Sequence, residues 1–289
     1  MTRTRGLRVI DRGGGMKTRL LRDIEVSEVG MGCMTFSHGS GQIPPEEYSV
    51  EAIRNACRNG CTFFDTAEIY SPNLSGMGHN ERIVGKALYG VREQVVIATK
   101  LFLNGFEAVG RGSVYNAVRR HLEGSLKRLG TDWVDIYYLH RMGGVSVEKI
   151  AEAMGRLMED GLIRGWGLSQ VDVPVIQKAN RVTPLSAVQN IYSMVERDAE
   201  QGVIPYCLEN NIGFVPFSPI ASGLLSGKIT VDTQFERHDD VRNWVPQLSK
   251  ANIAGNQPII DLLKKYAEMK NATSAQISLA WMLHKYPNV

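Results

Sequence analysis

Cysteine is scarce in this 289-residue chain. The four present, Cys33, Cys57, Cys61 and Cys207, form no C-x-x-C pair and have no histidine cluster beside them. That pattern excludes a disulfide-stapled scaffold and gives no metal-ligand spacing, so the thiols read as reduced side chains of a cytoplasmic protein and no metal is expected. An apolar run of about 18 residues is also lacking, so no membrane span is read from the sequence. The first residues contain no apolar h-region and therefore no secretory signal. Charge of one sign is not in large excess: the formal net charge is +3 and the basic residues are dispersed, which argues against a nucleic-acid surface. The stretch "GMGCMTFSHG" lacks the G-x-G-x-x-G spacing of a dinucleotide-binding open sheet.

What is present is a globular composition, 43% hydrophobic and 22% charged, on a chain long enough for a large core. Arg3, Arg5, Arg8, Arg12, Lys17 and Arg19 outnumber Asp11 at the start, where Gly13, Gly14 and Gly15 also fall. Residues 1–17 read as a flexible leader and residues 18–289 as one domain. A hairpin is expected over Arg19 to Val29. Seven strand candidates follow: "GMGCMTF", "CTFFD", "QVVIATK", "WVDIYYLH", "LIRGWGLS", "SAVQN" and "IGFVPFS". Helical patterns separate them. "PEEYSVEAIRNACRNG" opens on Pro and acids and closes on Gly, while Ser113 and Gly130 punctuate one later helix and Ser146 and Gly161 another. Repeated strand-helix units without a linker predict an α/β fold, a (β/α) barrel with a parallel sheet.

Three consecutive strand candidates finish on ionisable residues: Asp65, Lys100 and His140. In a parallel barrel those C-terminal edges share one face, which carries the active site. Asp65 follows two phenylalanines, and a buried carboxylate there needs a partner. Lys100 on the adjacent strand is that partner, and Tyr70 in the loop after Asp65 can reach the same mouth. An ammonium beside a tyrosine favours the phenolate and lowers the phenol pKa. A tyrosine tuned in this way can give a proton to a carbonyl oxygen and take it back, while a histidine beside it hydrogen-bonds the same oxygen. The reductant is then a nicotinamide hydride. Each residue taken singly could equally be an ion pair or a satisfied core group; their recurrence on one rim is the signal.

At this point the chain resembles the aldo-keto reductase family from about Arg19 to its last residue. "FFDTAEIY", "NERIVGKAL", "VVIATK", "DIYYLHR", "IRGWGLS", "VQNIYS" and "PFSPIASGLLSGK" follow the family's motifs in order and spacing. The resemblance implies a (β/α)8 TIM barrel with an N-terminal hairpin, a tetrad of Asp65, Tyr70, Lys100 and His140, and NADP(H) as cofactor. It implies that Ser169 and Gln189 hold the nicotinamide carboxamide, that Phe217 stacks on the ring and that Gln170 is a further cofactor position. Thr35 is a further cofactor position, and Ser218, Ile220, Gly223, Leu224 and Lys228 would cradle the pyrophosphate. A Ser/Gly-rich loop after a strand suits phosphate by its free N–H groups, although "SGLLSGK" alone reads equally as a turn. The partner expected is a small carbonyl compound, with a pocket wall of Phe36, Phe102, Arg141, Tyr192, Met194, Arg242 and Trp244. Arg242 reads equally as a partner of Asp239 or Asp240.

The sequence departs from the family at Gln170, where Asn or Glu is common, and at Ser71, where Gly often follows the tyrosine. Relatives continue past a helix like "ATSAQISLAWMLHKYPNV" with a last strand, a 2′-phosphate-binding segment and a final helix, so the eighth strand is expected to be absent here and the barrel to carry two unpaired edges. The function expected is NADPH-dependent reduction of aldehydes or ketones. The alternatives are a nucleotide-binding relative without catalysis, as a sensor or channel-associated subunit, or an inactive truncated remnant.

Overall fold

The computed structural model describes residues 16–72, 76–110, 112–235, 237 and 240–289. All but the last two residues of the expected leader lie outside the described residues. A two-stranded antiparallel hairpin comes first, β1 Thr18–Leu21 and β2 Ile24–Ser27. Seven parallel strands then form one sheet in strict chain order: β3 Met31–Gly32, β4 Phe63–Asp65, β5 Val96–Leu101, β6 Val134–Leu139, β7 Ile163–Ser169, β8 Ala187–Ile191 and β9 Gly213–Phe217. Among the described residues no strand joins β3 to β9, which are the two ends of the sheet. This is the nearly closed parallel barrel expected from the strand-helix repeats. The first strand is shorter than "GMGCMTF" suggests. After Gly32 the chain turns into a short 3-10 segment at Met34–Phe36, and the Cys33 N–H donates to Asp65 O at 2.8 Å.

The helices are α1 Glu46–Arg58, α2 His79–Leu88, α3 Gly105–Gly110, α4 Val114–Leu129, α5 Val147–Glu159, α6 Val173–Val182, α7 Val203–Glu209, α8 Lys250–Gly255, α9 Gln257–Lys270 and α10 Ser274–Lys285. The predicted punctuation of α4 holds in detail: Ser113 Oγ accepts from the Asn116 N–H, and Gly130 takes φ 69° at the C-terminal end. No described helix is long and apolar enough to cross a membrane.

Side chains alternate across each strand, and the alternation sorts the core. Phe64, Ile97, Tyr137, Trp166, Leu168 and Val188 pack outward against the helices in one large cluster. Phe63, Val96, Ala98, Ile136, Tyr138 and Ala187 pack inward, closed below by Leu21, Ile24 and Val26 of the hairpin. Arg22 at the hairpin turn donates to Leu185 O at 2.7 Å and fixes this plug to the barrel floor.

Beyond β9 the last residues run beside the sheet edge, where the Phe214 N–H donates to Asn288 O at 2.7 Å. Tyr192, Phe214, Trp281 and Tyr286 pack together there.

Gly167 lies where β7 passes the inward ring of Tyr138. A Cβ at this position would overlap that ring and sit 2.6 Å from Ala187 O on the neighbouring strand. Gly167→Ala is therefore expected to destabilise the fold by about 1–3 kcal/mol, the range of overpacked cores, read as a lower midpoint in urea unfolding. An unchanged midpoint would show that the Tyr138 ring moves aside freely.

Candidate active site

The inward parity that places Phe63, Ala98 and Tyr138 in the barrel core continues to the strand ends. It brings Asp65 two residues after Phe63, Lys100 two after Ala98 and His140 two after Tyr138 to the same mouth. Lys100 is fully buried. Its ammonium forms an ion pair with Asp65 Oδ1, donates to Thr66 O at 2.8 Å and lies 3.3 Å from the Tyr70 hydroxyl. The second Asp65 oxygen accepts from Gln189 Nε2 at 2.9 Å, so the carboxylate links three strands. Tyr70, 8% exposed, meets His140 edge to face with ring centres 5.7 Å apart. The four residues read from the sequence as one constellation are thus neighbours.

Burial opposes the charge on Lys100, but Asp65 and Tyr70 outweigh it and hold its pKa above the ordinary lysine value. Burial pushes His140 down to about 3, helped by the positive charges of Lys100 and Arg141, so its ring is neutral at ordinary pH. Tyr70 departs from the sequence expectation. Burial raises its pKa more than Lys100 and Arg141 lower it, so the phenol keeps its proton. The neighbouring ammonium is legible in the sequence, whereas the loss of solvent is not.

The loop that carries Tyr70 is held by buried polar groups. Thr66 Oγ1 donates to Asn80 Oδ1 at 2.6 Å. Asn80 Nδ2 reaches Cys33 O and Ser37 Oγ, both at 2.8 Å, and the Asn80 N–H donates to Tyr70 O at 3.2 Å. Glu81 on the same helix accepts from Thr99 Oγ1 at 2.6 Å and pairs with Arg128. Part of "NERIVGKAL" is therefore a bracket for the Tyr70 loop and for β5. Asn80 was not singled out from the sequence, because a polar residue in a helix's first turn ordinarily faces water.

A cavity of about 970 Å³ opens over these groups. Asp65, Tyr70, His140, Ser169, Gln189 and Phe217 line it, as do Thr35, Ser218, Ile220 and Gly223. It continues along the gap between β3 and β9, past Phe214 and Met282 to the hairpin. Backbone in the loop after β9 is left-handed at Ser218 (φ 51°), Ala221 (φ 50°), Ser222 (φ 54°) and Gly223 (φ 102°). Gln170 is exposed, also left-handed at φ 57°, and does not line the cavity. Leu224 is fully buried in a small apolar cluster with Leu225 and Ile260, so only its backbone is available to a ligand. Lys228 is exposed and lies outside the cavity lining.

The expected pocket wall is reached only in part. Arg141 lines the cavity and donates to Ser169 Oγ at 3.0 Å and His140 O at 2.6 Å. Arg242 also lines it, paired with Asp240 at 2.6 Å; that guanidinium holds the Asp240 carboxyl down to about 2. Phe36 packs instead into the outer core, because the 3-10 turn after Cys33 rotates it away. Tyr192 is fully buried, its hydroxyl donating to Glu200 Oε1 at 2.7 Å in the aromatic cluster beyond β9. Met194 packs in the small cluster around Leu224. Phe102 and Trp244 are 40% and 67% exposed and do not line the cavity.

A family model described as the aldo/keto reductase family matches residues 28–289. Among solved structures, the chain is similar to the glycerol dehydrogenase of Gluconobacter oxydans, with 25% identity and a TM-score of 0.78 over 98% of this chain and 84% of that one. An aldo-keto reductase of Bacillus halodurans in its holo form gives 25% identity and a TM-score of 0.72, over 95% and 84% of the two chains. An aldo/keto reductase of Klebsiella pneumoniae, solved with NADP and acetate, gives 27% identity and a TM-score of 0.67, over 91% and 79%. With the motifs, the barrel and the strand-end cluster in agreement, the chain belongs to the aldo/keto reductase family.

Proposed function

We propose that the chain is an oxidoreductase that reduces an aldehyde or ketone to the alcohol with NADPH, with Tyr70 as general acid. The observation that carries this reading is the Lys100 ammonium, held between Asp65 and the Tyr70 hydroxyl at the mouth of a large cavity. The residues present fit the cofactor. The cavity is at the upper end of ligand-pocket sizes, enough for a dinucleotide with a small substrate. The loop Ser218–Gly223 after β9 is a tight turn lining the cavity; its Ala221 and Gly223 N–H groups donate to Ser218 O and Ile220 O, which leaves the backbone around Ser222 as the part that could meet an anion. Gln189 keeps its amide oxygen and Ser169 its hydroxyl hydrogen for a carboxamide. Phe217 offers a ring face in the same cavity. The preference for NADPH is supported by the family resemblance and by the Klebsiella pneumoniae structures solved with NADP or NADPH.

NADPH held in this cavity would supply the hydride for the carbonyl carbon. Tyr70, kept protonated by burial, gives its proton to the carbonyl oxygen, and Lys100 stabilises the phenolate that remains. Neutral His140, which lines the cavity, can donate a hydrogen bond to the same oxygen. Asp65 fixes the ammonium in place, and residues 18–289 serve the reaction as one domain.

Removing the Tyr70 hydroxyl should remove the acid and little else. Tyr70→Phe is expected to lower carbonyl reduction by about a hundredfold or more, with NADPH affinity unchanged by nicotinamide fluorescence titration. Turnover of an activated benzaldehyde at near wild-type rate would refute the assignment.

Without the ammonium, the phenolate loses its main stabilising charge and the Tyr70 pKa rises further. In Lys100→Met the pH profile of alcohol oxidation, which needs the phenolate as base, should move to higher pH. A profile of lower amplitude at the same position would make Lys100 a positioning group only.

His140 should remain neutral down to its depressed pKa of about 3. The unfolded chain takes up that proton near the ordinary histidine value, so this residue's contribution to stability is lost as pH falls from about 6.5 toward that lower value. Its ring resonances are expected to stay unshifted from about pH 8 to about 5, a window above the pKa. An inflection near the ordinary value would show that the ring is open to water.

A further inference from the structure

A carboxylate that the proposed chemistry does not use sits two residues before Tyr70. Glu68 is 1% exposed, although it lies in the loop between β4 and α2. One of its oxygens accepts the Phe102 N–H at 2.9 Å, and the other is 2.8 Å from His121 Nδ1 on α4. On the far side of that ring, His121 Nε2 is 3.1 Å from Glu107 Oε1 on α3, a distance of contact without good hydrogen-bond alignment. The backbone of Glu68 is fastened as well: its N–H donates to Lys100 O at 3.2 Å, and its carbonyl accepts the Gly78 N–H at 2.6 Å.

An imidazole between two carboxylates faces a choice. The neutral ring has a single N–H, so it serves one carboxylate and turns a lone pair toward the other; the imidazolium donates at both nitrogens. Here Glu68 takes the hydrogen bond at Nδ1 and Glu107 faces Nε2 at ion-pair distance, so the two negative charges together favour the protonated ring. Burial disfavours that charge, yet Glu68 and Glu107 outweigh it and hold the His121 pKa above its ordinary value. Among the described residues, the acids facing the ring are Glu68 from the Tyr70 loop and Glu107 from α3. Tyr137 on β6 lies near Glu68 and is kept neutral by its own burial, and Arg128 further along α4 is paired with Glu81.

We infer that Glu68, His121 and Glu107 form a positioning cluster that clamps the Tyr70 loop onto the segment running from Lys100 to Phe102, and that the clamp loosens when His121 loses its proton. The sign follows from the raised pKa: the clamp is complete below the ordinary histidine value and is lost as pH rises through the folded value. Tyr70 and Lys100 come from the two segments that the clamp joins, so their separation depends on it. The consequence for turnover rests on the function proposed above; the consequence for the loop does not.

The test is amide hydrogen exchange of residues 66–72 and 100–107 in the full chain, corrected for intrinsic rates, from about pH 6 to about pH 9.5 across the range where a raised histidine titrates. Protection in the wild type should fall as pH rises, and in His121→Gln it should be low and independent of pH. Carbonyl turnover by His121→Gln should drop about tenfold in kcat, within the range that sub-ångström misplacement produces, with NADPH affinity unchanged. If that variant fails to fold, Glu107→Gln replaces a partly exposed acid, and the wild-type loss of protection should then move down by about one pH unit, as expected for removing one neighbouring carboxylate. Loop exchange that ignores pH in the wild type, or a Glu107→Gln protein whose profile does not move, would overturn the inference. Absence of any carbonyl turnover alongside pH-dependent loop protection would count against the proposed function and support the clamp.

Discussion

The constraint on which the site depends is a single positive charge with no access to water. Placing the Lys100 ammonium in the barrel interior costs several kcal/mol unless partners surround it. Those partners are fixed by the need to satisfy it: the Asp65 carboxylate from the neighbouring strand, the Thr66 carbonyl one residue on, and the Tyr70 hydroxyl from the loop. Asp65 is in turn held by Gln189 from four strands further round the sheet. One buried charge thereby ties β4, β5 and β8 together and draws the Tyr70 loop inward. The same arrangement that makes the charge tolerable also puts a phenol beside an ammonium.

This explains how much of the site was legible in the sequence. In a strand, inside and outside alternate, so a run such as Val96, Ala98, Lys100 declares its own inward face. Asp65 and His140 obey the same parity as Phe63 and Tyr138. Their common rim follows from parallel order alone, without any loop geometry. The hairpin, the seven strands and the helix ends came from equally local signals, such as the Ser113 cap and the left-handed Gly130.

What local signals do not carry is the fate of residues whose neighbours are distant in sequence. Tyr192, Phe36 and Phe102 are all aromatics near strand ends, and by type each suits a pocket wall. Tyr192 is claimed by Trp281 and Tyr286 nearly a hundred residues on, and Phe36 by a one-turn rotation after Cys33. Glu68 shows the opposite case. A glutamate in a loop reads as solvated, and only the arrival of His121 and the Phe102 amide makes it a buried group. The raised pKa of Tyr70 has a related cause: the ammonium is visible in the sequence, while the depth of burial is not.

The direction of that last departure bears on the chemistry. A phenol shifted down toward neutrality would spend part of its time as phenolate and be a ready base. Burial instead keeps Tyr70 protonated, and His140 stays neutral for the same reason, with its pKa down at about 3. At ordinary pH the mouth therefore presents two uncharged groups able to donate hydrogen bonds, backed by the Lys100 ammonium and flanked by Arg141. Negative charge developing on a carbonyl oxygen would be met by the donors first and by Lys100 through the phenol second, in a cavity whose lining is largely apolar and so screens these charges weakly. In the proposed reaction this favours proton donation to the reduced oxygen. The reverse direction must first pull the Tyr70 proton away against the cost of burying a phenolate, and Lys100 is the group positioned to offset that cost.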